Sequence, residues 1–173
     1  MARWNKIHVF VYGGIILRAL KAIFDKVLAV LLSVTLLSMV FVALLGVFTR
    51  LILKNQASFT TEYLRYALLW SSLLAGAYGF GEKGHISITF VKDKFKGNAQ
   101  IILNVITELA IIFFAATILI YGGIQGVKLG MNEISPTLYI KVGYIYTVLP
   151  ISGVFVIFYS IVNIMNLFEK KKI

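Results

Sequence analysis

Cysteine is absent from all 173 residues, which excludes disulfides, thiolate nucleophiles and cysteine-held metals. There are two histidines, His8 and His85, too few for a histidine-only metal cage. Neither falls within a long apolar run, so they do not form a haem pair. Acidic residues number seven against 17 basic ones, and charged residues make up only 14% of the chain. No Ser-His-Asp set, paired carboxylates, glycine-rich phosphate loop or metal-spaced histidine cluster is present, and an enzyme or a cofactor-bearing protein is not the expectation. Proline occurs twice, and there is no linker-like cluster, internal repeat or low-complexity tract. The net charge of +10 does not indicate nucleic acid, because the basic residues are scattered in short segments between apolar runs.

What the chain has in excess is apolar length. Hydrophobic residues make up 60% and the mean hydropathy is +0.90, far outside the range of soluble domains. A bilayer core of about 30 Å needs about 20 helical residues. Four segments meet or approach that length, giving expected spans at 27–48, 62–81, 101–121 and 144–168. The second is short: 16 uncharged residues separate Arg65 from Glu82, about 24 Å of helix, so the helix is expected to begin near Glu62. The fourth contains Pro150. Residues 7–17 are apolar over half a span. Arg18 interrupts the run and no small-x-small cleavage site follows, which speaks against a secretory signal. In the continuation, Arg18, Lys21 and Asp25 face away from Leu20, Ile23 and Phe24, the pattern of a helix lying in the membrane interface.

Basic residues cluster in the N-terminal segment, between the second and third spans, and in the C-terminal tail 169–173. The positive-inside rule puts these on the cytoplasmic side. The expected fold is an all-α integral membrane protein with four transmembrane helices, both termini inside. An interfacial segment over 1–26 precedes the membrane domain 27–168. Lys83 and His85 mark the cytoplasmic exit of the second span.

Polar residues inside or beside spans are costly and therefore informative. Glu62 and Arg65, three apart on one helix face, are close enough to interact where the second span meets the outer surface. The same stripe continues through Ser72, Gly76 and Gly79. Such small residues let another helix approach closely, so this face is expected to pack against protein, while Tyr66, Trp70 and Leu73 point elsewhere. Glu108 lies seven residues into the third span, about 10 Å from its cytoplasmic end. Its alternatives are an acid hydrogen-bonded within the bundle, a contact to a partner protein, or an ion-coupling group. The last would normally be accompanied by broken helices and repeated halves, which this sequence lacks.

The order and spacing of several short elements resemble one family. They are Thr49-Arg50 after the first span, "EYLRYALLW" at the second entrance, Gly76-Ala77, "GHISITF", and "SPTLYIKVGYIYTVLPISG" leading into the last span. From about Asp25 to Phe168 the chain is similar to the small membrane (Q, small permease) subunit of tripartite ATP-independent periplasmic (TRAP) transporters. Two positions depart from the family's pattern. Phe59 and Thr61 stand where the entrance motif commonly has Trp and a first Glu, and Thr89 replaces an Asp after the "H-I-x-I" motif. The resemblance implies a non-catalytic scaffold in the bacterial inner membrane, among membrane lipids and bound to a large multi-span M subunit. In such systems that subunit carries sodium-coupled uptake, and a periplasmic substrate-binding protein delivers an organic acid such as a C4-dicarboxylate or sialic acid. Arg50, Lys54, Lys128, Glu133 and Lys141, near the outward loops, are then docking candidates for the binding protein. Two other readings stay open: an autonomous homodimeric four-helix transporter using Glu108, and a membrane-anchored redox subunit.

Overall fold

In the computed structural model the backbone is described for residues 2–52, 54, 57–81 and 98–170, and side chains for 17, 19–52, 54, 57–81, 100 and 102–167. The elements in chain order are α1 (Ala2–Leu51), α2 (Ser58–Gly81), α3 (Asn98–Phe114), a π-helix π1 (Ala115–Gly122), α4 (Gly123–Gly130), α5 (Val142–Tyr146) and α6 (Val148–Lys170). The one β feature among the described residues is an isolated antiparallel bridge, Ile134 to Lys141.

Three stretches are long and apolar enough to cross a bilayer: Ala19–Leu51, Ile102–Gly130 and Val142–Leu167. They cover the expected first, third and fourth spans. The remaining one, α2, has 24 residues, about 36 Å of helix, so its length suffices. Glu62, Arg65 and a run of Ser, Gly and Tyr dilute its hydropathy. It also starts at Ser58, a turn before Glu62, with the Thr60 hydroxyl and amide both donating to Ala57 O at 2.7 and 3.0 Å.

The helix that holds the first span extends back to Ala2. α1 runs unbroken for 50 residues, about 75 Å, because "RALKAIFDKV" consists largely of good helix formers and contains no glycine or proline. The third span continues beyond Tyr121 to Gly130, so Lys128 sits on a helix and not in the outward loop. Its middle is π-helical, a widening absent from the sequence expectation. Thr117 Oγ1 donates to Phe113 O at 2.7 Å there, a back-bond that loosens the regular ladder.

α2 and α6 form the centre. α1 packs on α2, α2 on α6, and α3 with π1 also on α6. One core joins Leu28, Leu74, Val148 and Tyr159, and a second joins Ala77, Ala115 and Val156. At the second core, a Cβ on Gly153 would lie 2.9 Å from Leu119 Cβ and 3.4 Å from Ala115 O, so the helices touch nearly backbone to backbone. By contrast Leu28 is the one fully buried side chain of α1 among those described. Leu37, Val40, Phe41, Leu44, Val47 and Phe48 are exposed along it, as expected of a helix bordered by lipid or another chain.

Candidate functional site: the outer lock and the open face of α2

Pro150 organises the N-terminal end of the last span. It has no N–H to give Tyr146 O, and its ring crowds that turn. The helix accordingly breaks at Thr147 between α5 and α6. Just before the break, the Trp70 indole N–H donates to the Ile145 carbonyl at 3.0 Å. α2 is thereby tied to the kink through a buried residue.

Before the kink, residues 131–141 fold into a tight hairpin. Ser135 N donates to Ile140 O at 2.9 Å and Val142 N to Glu133 O at 3.0 Å, while Leu138 N reaches Ser135 Oγ at 3.2 Å. Tyr139 takes a left-handed φ of 54° at the tip and is 82% exposed. For a bulky residue that conformation is costly and persists only where its surroundings impose it. Here the surroundings are the hairpin's own bonds and Glu62. Glu62 Oε2 accepts from Thr137 N at 3.0 Å and from the Thr137 hydroxyl, and Oε1 accepts from the Tyr66 hydroxyl at 2.8 Å. One carboxylate thus gathers three donors, two of them from a hairpin 75 residues away.

This differs from the expected Glu62–Arg65 pairing. Both Glu62 oxygens are engaged elsewhere, Arg65 is exposed, and the ion pair within 4 Å among the described residues is Lys21–Asp25 at 2.7 Å. That pair closes the opposite end of the bundle. Asp25 Oδ1 also accepts from the Tyr159 hydroxyl at 2.7 Å, and Lys21 Nζ lies 5.7 Å from the Tyr159 ring centre, within cation–π range. Between the two ends, Tyr63 donates to Ser38 Oγ at 2.7 Å, fastening α1 to α2.

The buried residues of α2 are Thr60, Ala67, Ser71, Leu74, Ala77 and Gly81. At 3.6 residues per turn, Arg65, Leu68, Ser72, Gly76 and Gly79 lie on the opposite side. Ser72 and Gly76 are exposed and Gly79 is half-buried. A Cβ at Gly76 or Gly79 would meet nothing within 4 Å. Among the described residues the small-residue stripe is therefore unpacked, whereas Trp70 and Leu73 do turn toward the core.

Of the other sequence candidates, Arg50 ends α1, Lys128 lies in the last turn of α4, and Glu133 and Lys141 flank the hairpin; all four are exposed, as is Lys54 with its φ of 51°. Glu108 is half-buried on α3. Lys83, His85 and the "GHISITF" segment lie outside the described residues. Sequence reasoning missed Thr137 and the Asp25–Tyr159 contact, which join residues far apart in the chain. The i,i+4 spacing of Glu62 and Tyr66 was a legible sign of one of the carboxylate's partners.

Comparison with known proteins agrees with this architecture. The chain is 26% identical over 121 residues to the sialic acid TRAP transporter small permease protein SiaQ of Vibrio cholerae serotype O1, an alignment covering 70% of this chain and 69% of that protein. Residues 39–170 match the family model of the tripartite ATP-independent periplasmic transporters, DctQ component. A bundle with membrane-length helices and this match over most of its length make the chain a member of the TRAP transporter small permease (DctQ) family.

Proposed function

We propose that the chain is the scaffold subunit of a TRAP transporter in the bacterial inner membrane, non-catalytic and without a cofactor. It crosses the membrane four times with both termini inside, and it holds a large M subunit that performs sodium-coupled uptake of an organic acid. Sialic acid or another sugar acid and C4-dicarboxylates are the substrate classes in view. The observation that carries this reading is the open face of α2: Arg65, Leu68, Ser72, Gly76 and Gly79 have the size profile of a close helix–helix contact and no partner element among the described residues. The exposed apolar side of α1 extends the available surface. In this arrangement the 131–141 hairpin, held rigid by Glu62, is an outward platform. With Arg50, Lys54, Lys128, Glu133 and Lys141 around it, it helps dock the periplasmic substrate-binding protein.

The test is co-purification. Gly76→Leu and Gly79→Leu should leave membrane insertion of the chain intact and abolish recovery of a large multi-span subunit with a tagged small subunit. Undiminished recovery would remove the α2 face as the interface. Transport by the chain alone in liposomes, lost on Glu108→Gln, would instead support the homodimeric reading.

A further inference from the structure

Three oxygens are buried without a hydrogen-bond partner near the cytoplasmic end of the bundle: Asn104 Oδ1 on α3, and Ser160 Oγ and Asn163 Oδ1 on α6. Their residues are 7%, 0% and 9% exposed. Burying such an acceptor unpaired is costly, so each calls for an occupant.

Register brings them together. α3 and π1 run antiparallel to α6, with Gly153 against Ala115 and Leu119, and Val156 in one cluster with Ala115. Continuing the two facing rows by turns of three and four residues sets Asn104 and Glu108 opposite Ser160 and Asn163. The C-terminus of α2 meets the same place. A Cβ on Gly81 would touch the Tyr159 ring at 2.8 Å, and Asn163 Nδ2 donates to Phe80 O at 3.3 Å. Amide oxygens, a hydroxyl, the Phe80 carbonyl and the Glu108 carboxylate all favour positive charge.

We propose that this junction of α2, α3 and α6 binds a small monovalent alkali cation. Hard oxygen donors select such ions over transition metals. One nearby carboxylate among otherwise neutral donors matches a single positive charge better than the carboxylate-rich cages of divalent ions. The site lies within this chain and does not depend on which partner the open face of α2 receives.

The experiment follows thermal unfolding of the purified full-length chain in nanodiscs, in sodium or potassium chloride against choline chloride at equal ionic strength. Binding only to the folded state raises the melting temperature by about 3–6 °C at a cation concentration ten times the dissociation constant. Ser160→Ala removes one unpaired oxygen; it should melt in choline no lower than the original chain and lose most of the alkali-specific rise. Asn104→Leu and Asn163→Leu, the latter also giving up the donor to Phe80 O, should lose the same rise. A melting temperature indifferent to alkali cation, or a rise that survives all three substitutions, overturns the proposal. So does a high-resolution map with water alone among the three oxygens, which would make the junction an ordinary hydrated pocket.

Discussion

Glu62 is an acid at a helix entrance whose work is done across the bundle. Its carboxylate accepts from Tyr66 on its own helix and from Thr137 in the hairpin, so one side chain sets the hairpin's position relative to α2. Glu62→Ala should release 131–141 while leaving the helices formed. The readout is amide exchange, expected to rise at least several-fold at Ser135 and Val142, with the cores around Leu74 and Val156 unchanged. Unaltered exchange in the hairpin would show that its internal bonds suffice. At the other end, Tyr159→Phe deletes the hydroxyl that Asp25 accepts from. Loss of a hydrogen bond to a charged acceptor costs about 1–3 kcal/mol, to be read as a lower melting temperature. Of these two contacts only the local half was legible beforehand. Glu62 and Tyr66 are a turn apart, whereas Thr137 and Tyr159 meet their partners only because the helices fold back, which no short-range spacing encodes.

At the scale of elements, glycine does opposite things on two helices. At Gly153 there is no room: a Cβ would stand 2.8 Å from Ile120 Cγ1 and 2.9 Å from Leu119 Cβ. Gly153→Ala should destabilise by about 1–3 kcal/mol through overpacking. At Gly76 there is only open space, and Gly76→Ala should leave the isolated chain within about 0.5 kcal/mol of the original. Comparing the two melting temperatures in detergent separates internal packing from surface reserved for another chain. A similar loss at both sites would contradict the open face. The kink gives a further check. Trp70→Phe removes the indole donor to the Ile145 carbonyl, the loss of one hydrogen bond worth about 0.5–1.5 kcal/mol. Helix existence was readable from apolar length and Pro150 from its missing N–H. The π-helical middle of the third span was not, since no spacing of apolar residues distinguishes it from the α-helix on either side.

For the whole molecule, orientation is the most direct claim to check. The chain has no cysteine, so single cysteines can be introduced without a background. Glu133→Cys, exposed beside the hairpin, should react with a membrane-impermeant maleimide from the periplasmic side. Lys94→Cys should react only after permeabilisation. The reverse pattern would invert the topology drawn from the basic residues. Class and family were accessible at this scale because hydropathy and short ordered motifs extend along most of the chain. The separation of an interfacial N-terminal segment from the first span was drawn from charge pattern, and the structure joins the two in a single helix, since amphipathicity alone does not break a run of good helix formers.

The contact between Asp25 and Tyr159 also has a consequence in time. The two residues are 134 positions apart, and chains are synthesised at about 5–20 residues per second. After Asp25 has been made, roughly 7–27 s pass before its tyrosine exists. During that interval α1 is held by its own apolar length and then by α2, through Tyr63 and Ser38. The contact at Asp25 is thus the last of α1's fastenings to close, and a ribosome stalled before the final helix would leave Asp25 without its tyrosine.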